Sequence, residues 1–362
     1  MTQTLPQALL LQARTRGTKT ALRYKRLGIW QARSWSEVAT DVSRLAAALQ
    51  QRGFSRGDDL LIISQARAEA LLLALAAQWL GGSVTLLDPE LDNRPLLVRL
   101  NPAFVMAEAL DSVQQIRDID QPPRVLLYLD GRGLNAADDH GLSAYAELFT
   151  GTTADAPKPV TEAAATAFVF HPADGQPRPL SHGQLLEGAR KLIARENLSA
   201  GEEALAARVF AASGQARYLL APWLSAGFCL NFPEALATRD TDRRELGPTL
   251  VLGTRESYAR LEHWARERLP LPGTLSHRLY RWAMAPDAQL FRRWIGYWLI
   301  RRPLLDVLGM SRLRVPLLVG PALSQESAAF FGALGIHPGS WQEPSVLREP
   351  AQAPTHLISH SV

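Results

Sequence analysis

The sequence predicts an α/β protein built on a doubly wound, mainly parallel sheet flanked by helices. Short apolar runs alternate with helical runs between residues 58 and 87. A β-α-β-α order of this kind favours parallel pairing, because each helix carries the chain back across one face of the sheet. The same alternation resumes beyond residue 200, where apolar runs at 228–232, 247–252 and 313–319 are separated by helical stretches. Composition agrees, since 47% hydrophobic and 20% charged residues over 362 positions describe an ordinary globular chain with room for one large or two medium domains.

Residues 1–35 open with a short helix, and the alternating segments 21–24 and 29–35 read as a hairpin. Ser34-Trp35-Ser36-Glu37 starts a helix whose apolar Val38, Val42, Leu45, Ala46 and Leu49 keep helical spacing as far as Gly53. Residues 58–64, DDLLIIS, read as a buried strand, 68–80 as an apolar helix closed by Gly81-Gly82, and 83–87 as the next strand. Short strands are expected at 104–106 and 124–129, with a helix at 142–149. The polar stretch 151–159, GTTADAPKP, marks a boundary, so residues 1–155 are expected to form an N-terminal α/β subdomain and residues 156–343 a second one. In that second part, 167–192 reads as a strand, a Gly/Pro-punctuated loop and an amphipathic helix. Strands at 206–212 and 228–232 flank a helix around 218–224, and the strand 247–252 precedes a helix at 255–269. The strand 313–319 runs into a turn at 320–324 and a helix at 324–334, and residues 344–362 form a Pro-rich tail.

The net charge of +4 comes mostly from scattered arginines rather than from one basic face, which argues against nucleic-acid binding. The single Cys229 lies in the apolar run AGFCLNF, so an intrachain disulfide is excluded and a reducing, cytoplasmic location is expected. No run reaches the roughly 18 apolar residues of a membrane span, and the N-terminus shows no basic leader before a long apolar core. The eight histidines lack metal-ligand spacing, and neither a Ser-His-Asp signature nor a Walker loop is present. Residues 275–308 are aromatic and basic, with Trp282, Trp294 and Trp298 interleaved with Arg292 and Arg293. Such a segment suits peripheral contact with a membrane surface or docking of a partner, and it equally suits a core helix with solvated arginines.

The stretch 167–192, AFVFHPADGQPRPLSHGQLLEGARKL, resembles the phosphate-gripping loop of the adenylate-forming superfamily, which includes acyl-CoA synthetases, luciferases and the adenylation domains of peptide synthetases. The family pattern is roughly Ser/Thr-Ser/Thr-Gly-Ser/Thr-Thr-Gly-x-Pro-Lys-Gly, with Ser/Thr-His a few residues on. Here the first six positions are Phe170, His171, Pro172, Ala173, Asp174 and Gly175, the lysine position holds Arg178, and Ser181-His182 follows. A phosphate cradle needs small residues and free N–H groups. Pro172 removes an N–H and Asp174 adds a negative charge, so the frame is kept while its chemistry is depleted.

Further blocks extend the resemblance over about residues 15–346. Residues 35–88 follow the opening of acyl-CoA synthetases element by element, and Gly320-Pro321-Ala322-Leu323-Ser324 is similar to the turn lining the family's adenine pocket. Ala212, Ser213, Gly214 and Gln215 stand where the family has Pro-Leu-x-His, and Gly339, Ser340, Trp341, Gln342 and Glu343 stand at its Tyr-Gly-x-Thr-Glu segment. The resemblance implies two stacked doubly wound sheets, a degenerate nucleotide site at Gly175, Arg178, Ser181, Gly320, Pro321, Ala322 and Gln342, and a metal position at Glu343. If the chain is active, ATP or AMP and Mg²⁺ are the cofactors it implies, and no catalytic residue is assigned. The family's ribose aspartate, hinge and lid domain fall beyond this segment. The expectation is therefore an acyl-CoA synthetase-like pseudoenzyme that binds an acyl group, an acyl carrier or a protein partner within a lipid or surface-polymer pathway. The alternative is a divergent adenylate-forming acyl ligase subunit completed by a partner chain.

Overall fold

The computed structural model describes residues 4–341 apart from 135–140, 151–157, 173–175, 209, 268, 270–272, 276, 279–281 and 283–296. Helix α1 (Leu5–Arg16) leads into the hairpin β1 (Thr20–Arg26) and β2 (Ile29–Ser34). Then α2 (Trp35–Gln51), β3 (Asp59–Ile63), α3 (Ala68–Trp79), β4 (Ser83–Leu87), α4 (Arg94–Leu100), β5 (Phe104–Ala107), α5 (Leu110–Arg117) and β6 (Val125–Tyr128) alternate. They are followed by β7 (Leu142–Ala144), β8 (Thr166–Phe170), β9 (Arg178–Ser181), α6 (His182–Glu196) and β10 (Glu203–Leu205). Next, α7 (Ser213–Gln215) continues through a π-helical turn (Ala216–Leu220) into α8 (Ala221–Ala226), and β11 (Cys229–Phe232), α9 (Arg239–Leu246), β12 (Leu250–Gly253) and α10 (Arg255–Arg266) follow. The described chain closes with α11 (Arg302–Val307), β13 (Val315–Val319), α12 (Gln325–Ala333) and β14 (Gly339–Trp341).

The strands form two seven-stranded sheets. One has the order β7-β6-β5-β3-β4-β8-β9 and is parallel except at β8–β9, and the other has the order β14-β13-β12-β10-β11-β1-β2 and is parallel except at β1–β2. Each sheet draws strands from both sides of residue 155. Strands β8 and β9 extend the first sheet beside β4, while β1 joins the second through the parallel register Leu22↔Leu230.

The two-residue period of β3 shows why the layers stack. Leu60 and Ile62 face a central core shared with α1, α2, α3, α6 and α8, while Leu61 and Ile63 face an outer cluster with α4 and α5. Strand β13 does the same, with Leu317 turned inward and Leu318 turned toward α10 and α12. In the central layer Trp35 stacks on Trp223 with ring centroids 4.9 Å apart, and Trp223 Nε1 donates to the Ala21 carbonyl at 2.8 Å. The expected start of α2 is built as a capping box: Ser34 Oγ accepts from the Glu37 N–H and Glu37 returns a bond to the Ser34 N–H.

Two expectations are corrected. Residues 142–149 are not a helix but β7 followed by a 3₁₀ turn (Tyr145–Phe149), because Leu142 pairs with Leu126 at the edge of the first sheet. The strand expected at 206–212 lies earlier, at Glu203–Leu205, where β11 and β12 supply its parallel neighbours. Cys229 is buried in β11, and burial pushes its thiol up to about 12, which removes nucleophilic character at neutral pH. Among the described residues no helix is long and apolar enough to cross a membrane.

Candidate functional site

In an open parallel sheet the chain leaves the carboxyl ends of the strands in different directions, and a crevice forms where they part. Both sheets contribute such ends to one cavity of about 650 Å³. Leu86 and Leu87 of β4, Leu205 of β10, Leu252 and Gly253 of β12 and Val319 of β13 all line it. Gly214 lets α7 close over one side, since a Cβ there would lie 3.0 Å from Val319 Cγ1. The volume is that of a small-molecule site, for which about 300–1,000 Å³ is usual.

The lining combines aliphatic, basic and acidic side chains. Leu91, Leu96, Leu236, Val251 and Leu261 supply aliphatic surface, and Arg208, Arg239, Arg243 and Arg260 supply a basic wall. Asp240 bridges two of these arginines: Arg260 Nη1 lies 2.5 Å and Arg243 Nη1 2.9 Å from its carboxylate oxygens. The carboxyl of Asp240 is held below its ordinary range because these guanidinium groups outweigh its burial. Arg243 is buried, donates from Nε to the Leu308 carbonyl at 2.7 Å, and is drawn down to about 10 by burial. Arg208 Nη1 donates to Thr254 Oγ1 at 2.7 Å, the hydroxyl that caps α10. Among the described residues Arg239 makes no hydrogen bond and no ion pair, and it is lowered by burial and by the repulsion of Arg260 and Arg208.

Carboxylates of the lining are largely occupied locally. Asp88 accepts the Glu90 N–H at 3.0 Å, Asp92 lies 3.3 Å from Arg94 Nε, and Glu256 is held low by a hydrogen bond from Thr254. His171 also lines the cavity. Both its ring nitrogens are buried without a hydrogen-bond partner among the described residues, and burial keeps it neutral by lowering its pKa.

The residues singled out from sequence are distributed as follows. Arg178 begins β9 opposite Phe170, and Ser181 caps α6, accepting the Gln184 N–H at 3.2 Å while Gln184 Oε1 accepts the Ser181 N–H at 3.0 Å. The Ser181 hydroxyl is thus held by the helix terminus. Ser181→Ala is expected to lower stability by about 1 kcal/mol, read from the urea midpoint, and to leave ligand binding in the cavity unchanged. Gly320 leaves β13 with φ +89° directly after the cavity-lining Val319, and the Ala322 carbonyl accepts from Arg255 Nε at 2.5 Å, so Gly320, Pro321 and Ala322 border the cavity rather than line it. Trp298 is 48% exposed with the Arg302 guanidinium 4.5 Å from its ring centroid, and Trp282 is half-buried. Gly175, Gln342, Glu343, Arg292, Arg293 and Trp294 lie outside the described residues. Among the described residues no group of His, Cys, Asp and Glu is placed to hold a metal ion. The arginine wall is the part that sequence reasoning missed.

A family model described as AMP-binding enzyme matches residues 9–340. No curated protein matches. Among solved structures, the A-PCP didomain of carboxylic acid reductase from Segniliparus rugosus, in complex with AMP, superposes with a TM-score of 0.71 at 15% identity, covering 95% of this chain and 52% of that one. A putative long-chain-fatty-acid CoA ligase from Rhodopseudomonas palustris gives 0.65 at 17% identity, covering 91% and 72%. The fatty acyl-adenylate ligase of Legionella pneumophila, in complex with acyl adenylate and pyrophosphate, gives 0.63 at 12% identity, covering 93% and 54%. At these identities the likeness is one of fold. The chain spans about half the length of the reductase didomain.

Proposed function

Because the chain belongs to the AMP-binding enzyme family, we propose that it is an acyl-CoA synthetase-like binding protein, a pseudoenzyme without stand-alone ligase activity, that holds an acyl-type ligand in the cavity between its sheets. The observation that carries this reading is the cavity itself: about 650 Å³, lined by aliphatic side chains and by four arginines, with carboxylates among them. That lining suits an apolar chain with an anionic head, such as a fatty acid.

The catalytic half of the proposal rests on the turn after β8. Nucleotidyl transfer depends on positioned donors and on charge stabilisation, and each lost donor costs on the order of a hundredfold in rate. Pro172 offers no N–H there, and His171 presents a neutral ring where a small residue would let backbone N–H groups reach a phosphate. The lone, inert Cys229 suits a reducing cytoplasm, which we propose as its location, and a protein partner in a lipid or surface-polymer pathway is the proposed setting.

The test is ATP–pyrophosphate exchange over a panel of carboxylic acids. We expect no exchange above a Glu343→Ala control. Exchange abolished by Glu343→Ala would instead establish the alternative, a divergent ligase subunit whose remaining groups come from a partner chain. In parallel, a fatty acid that binds the folded state must raise the melting temperature.

A further inference from the structure

We propose that the arginine wall is a phosphate-binding site, and that the ligand of this cavity is a phosphorylated amphiphile: a phosphate ester at the head of an apolar chain. The inference deepens the acyl-binding reading and rests on it.

Four guanidinium groups from β10's exit, α9 and α10 line the cavity, and each lies within the field of at least one other. Asp240 serves two of them, Arg243 and Arg260, and Arg208 is bonded to the neutral hydroxyls of Thr254 and Ser257. Arg239 is left with the fields of Asp240 and of Glu90 on the rim, opposed by Arg260 and Arg208. Partly buried like charges with an unfilled guanidinium fork are unfavourable in the empty protein and are relieved by an anion. A phosphate ester is the anion that fits such a wall, since its several oxygens accept from more than one guanidinium at once and its charge exceeds that of a carboxylate. The same cavity presents aliphatic surface from Leu91, Leu96, Leu236 and Leu261, which suits a hydrocarbon chain rather than a base and ribose.

The experiment is calorimetric titration of the whole chain with dodecyl phosphate below its micellar concentration, dodecanol below its solubility limit, AMP and inorganic phosphate. Dodecyl phosphate is expected to bind about tenfold or more tightly than dodecanol, and Arg239→Gln to remove most of that difference while dodecanol binding stays. The unliganded Arg239→Gln variant is expected to melt no lower than the parent, because repulsion is relieved. Arg208→Gln, at an exposed position, repeats the test if Arg239→Gln does not fold. Equal binding of dodecyl phosphate and dodecanol, or an indifferent Arg239→Gln, overturns the phosphate site and leaves the acyl-binding reading standing. AMP or inorganic phosphate binding as tightly as dodecyl phosphate overturns the amphiphile. Failure of both dodecanol and dodecyl phosphate to bind brings down the acyl-binding reading itself.

Discussion

Asp242→Ala is expected to destabilise the protein by about 3 kcal/mol, because it strips a buried lysine of its one buried counter-charge among the described residues. Lys25 Nζ lies 2.8 Å from Asp242 Oδ1, with side-chain exposures of 7% and 1%. The second oxygen of Asp242 accepts from the Glu234 N–H at 3.0 Å and from Thr238 Oγ1 at 2.7 Å, so one carboxylate joins β1, the turn after β11 and α9. Glu245, 2.5 Å from Lys25 but half exposed, remains as a weaker partner, which keeps the loss at the lower end of the range for broken buried pairs. Urea unfolding measures the effect. Asp242→Asn, which keeps an acceptor without the charge, should lose less. A loss below about 1 kcal/mol for Asp242→Ala would mean that Lys25 escapes to solvent and that the tie is incidental. Since α9 carries Arg239 and Arg243, the same variant should also loosen the cavity wall.

Acid should weaken the fold by about 3 kcal/mol between pH 6.5 and 4 through one side chain, His182. His182, the first residue of α6, is fully buried, and its Nδ1 accepts the Leu5 N–H at 3.2 Å. Because Nδ1 accepts, Nε2 carries the single proton of the neutral ring and has no hydrogen-bond partner among the described residues, so a second proton would have to enter on Nδ1 and displace the Leu5 N–H. Burial therefore pulls the imidazole down to about 4 from an ordinary value of 6.5. Between these values the unfolded chain binds the proton and the folded protein does not, so the stabilisation is complete above pH 6.5 and declines as pH falls toward 4. Comparison with His182→Asn, which retains an acceptor and does not titrate, isolates this group from the carboxylates. Parallel pH dependence of the two proteins, measured by denaturant unfolding at pH 7 and pH 4, would contradict the assignment.

Elements whose signal is local were legible in the sequence. The run DLLII, the apolar helix 68–79 and the Ser34/Glu37 box carry their conformations in consecutive residues, and they form where expected. Residues 142–149 misled because Leu142, Tyr145, Leu148 and Phe149 repeat at helical spacing, yet an edge position beside β6 was open to a strand. The basic wall was hidden for a related reason. Arg239-Asp-Thr-Asp-Arg-Arg-Glu-Leu246 is so polar that it reads as a solvated helix, although Asp242 and Arg243 are buried. Distant groups satisfy them: Lys25 in β1 and the Leu308 carbonyl before β13.

By itself, then, the sequence determined the alternation of strands and helices and a parallel α/β architecture, because hydrophobic period and backbone restriction act over a few residues. Only the tertiary structure decided that the hairpin at 20–34 belongs with strands more than 180 residues later, and that arginines 208, 239, 243 and 260 share one cavity wall. Strand partners and converging charges are set by how whole layers pack, and no short window of sequence carries that information.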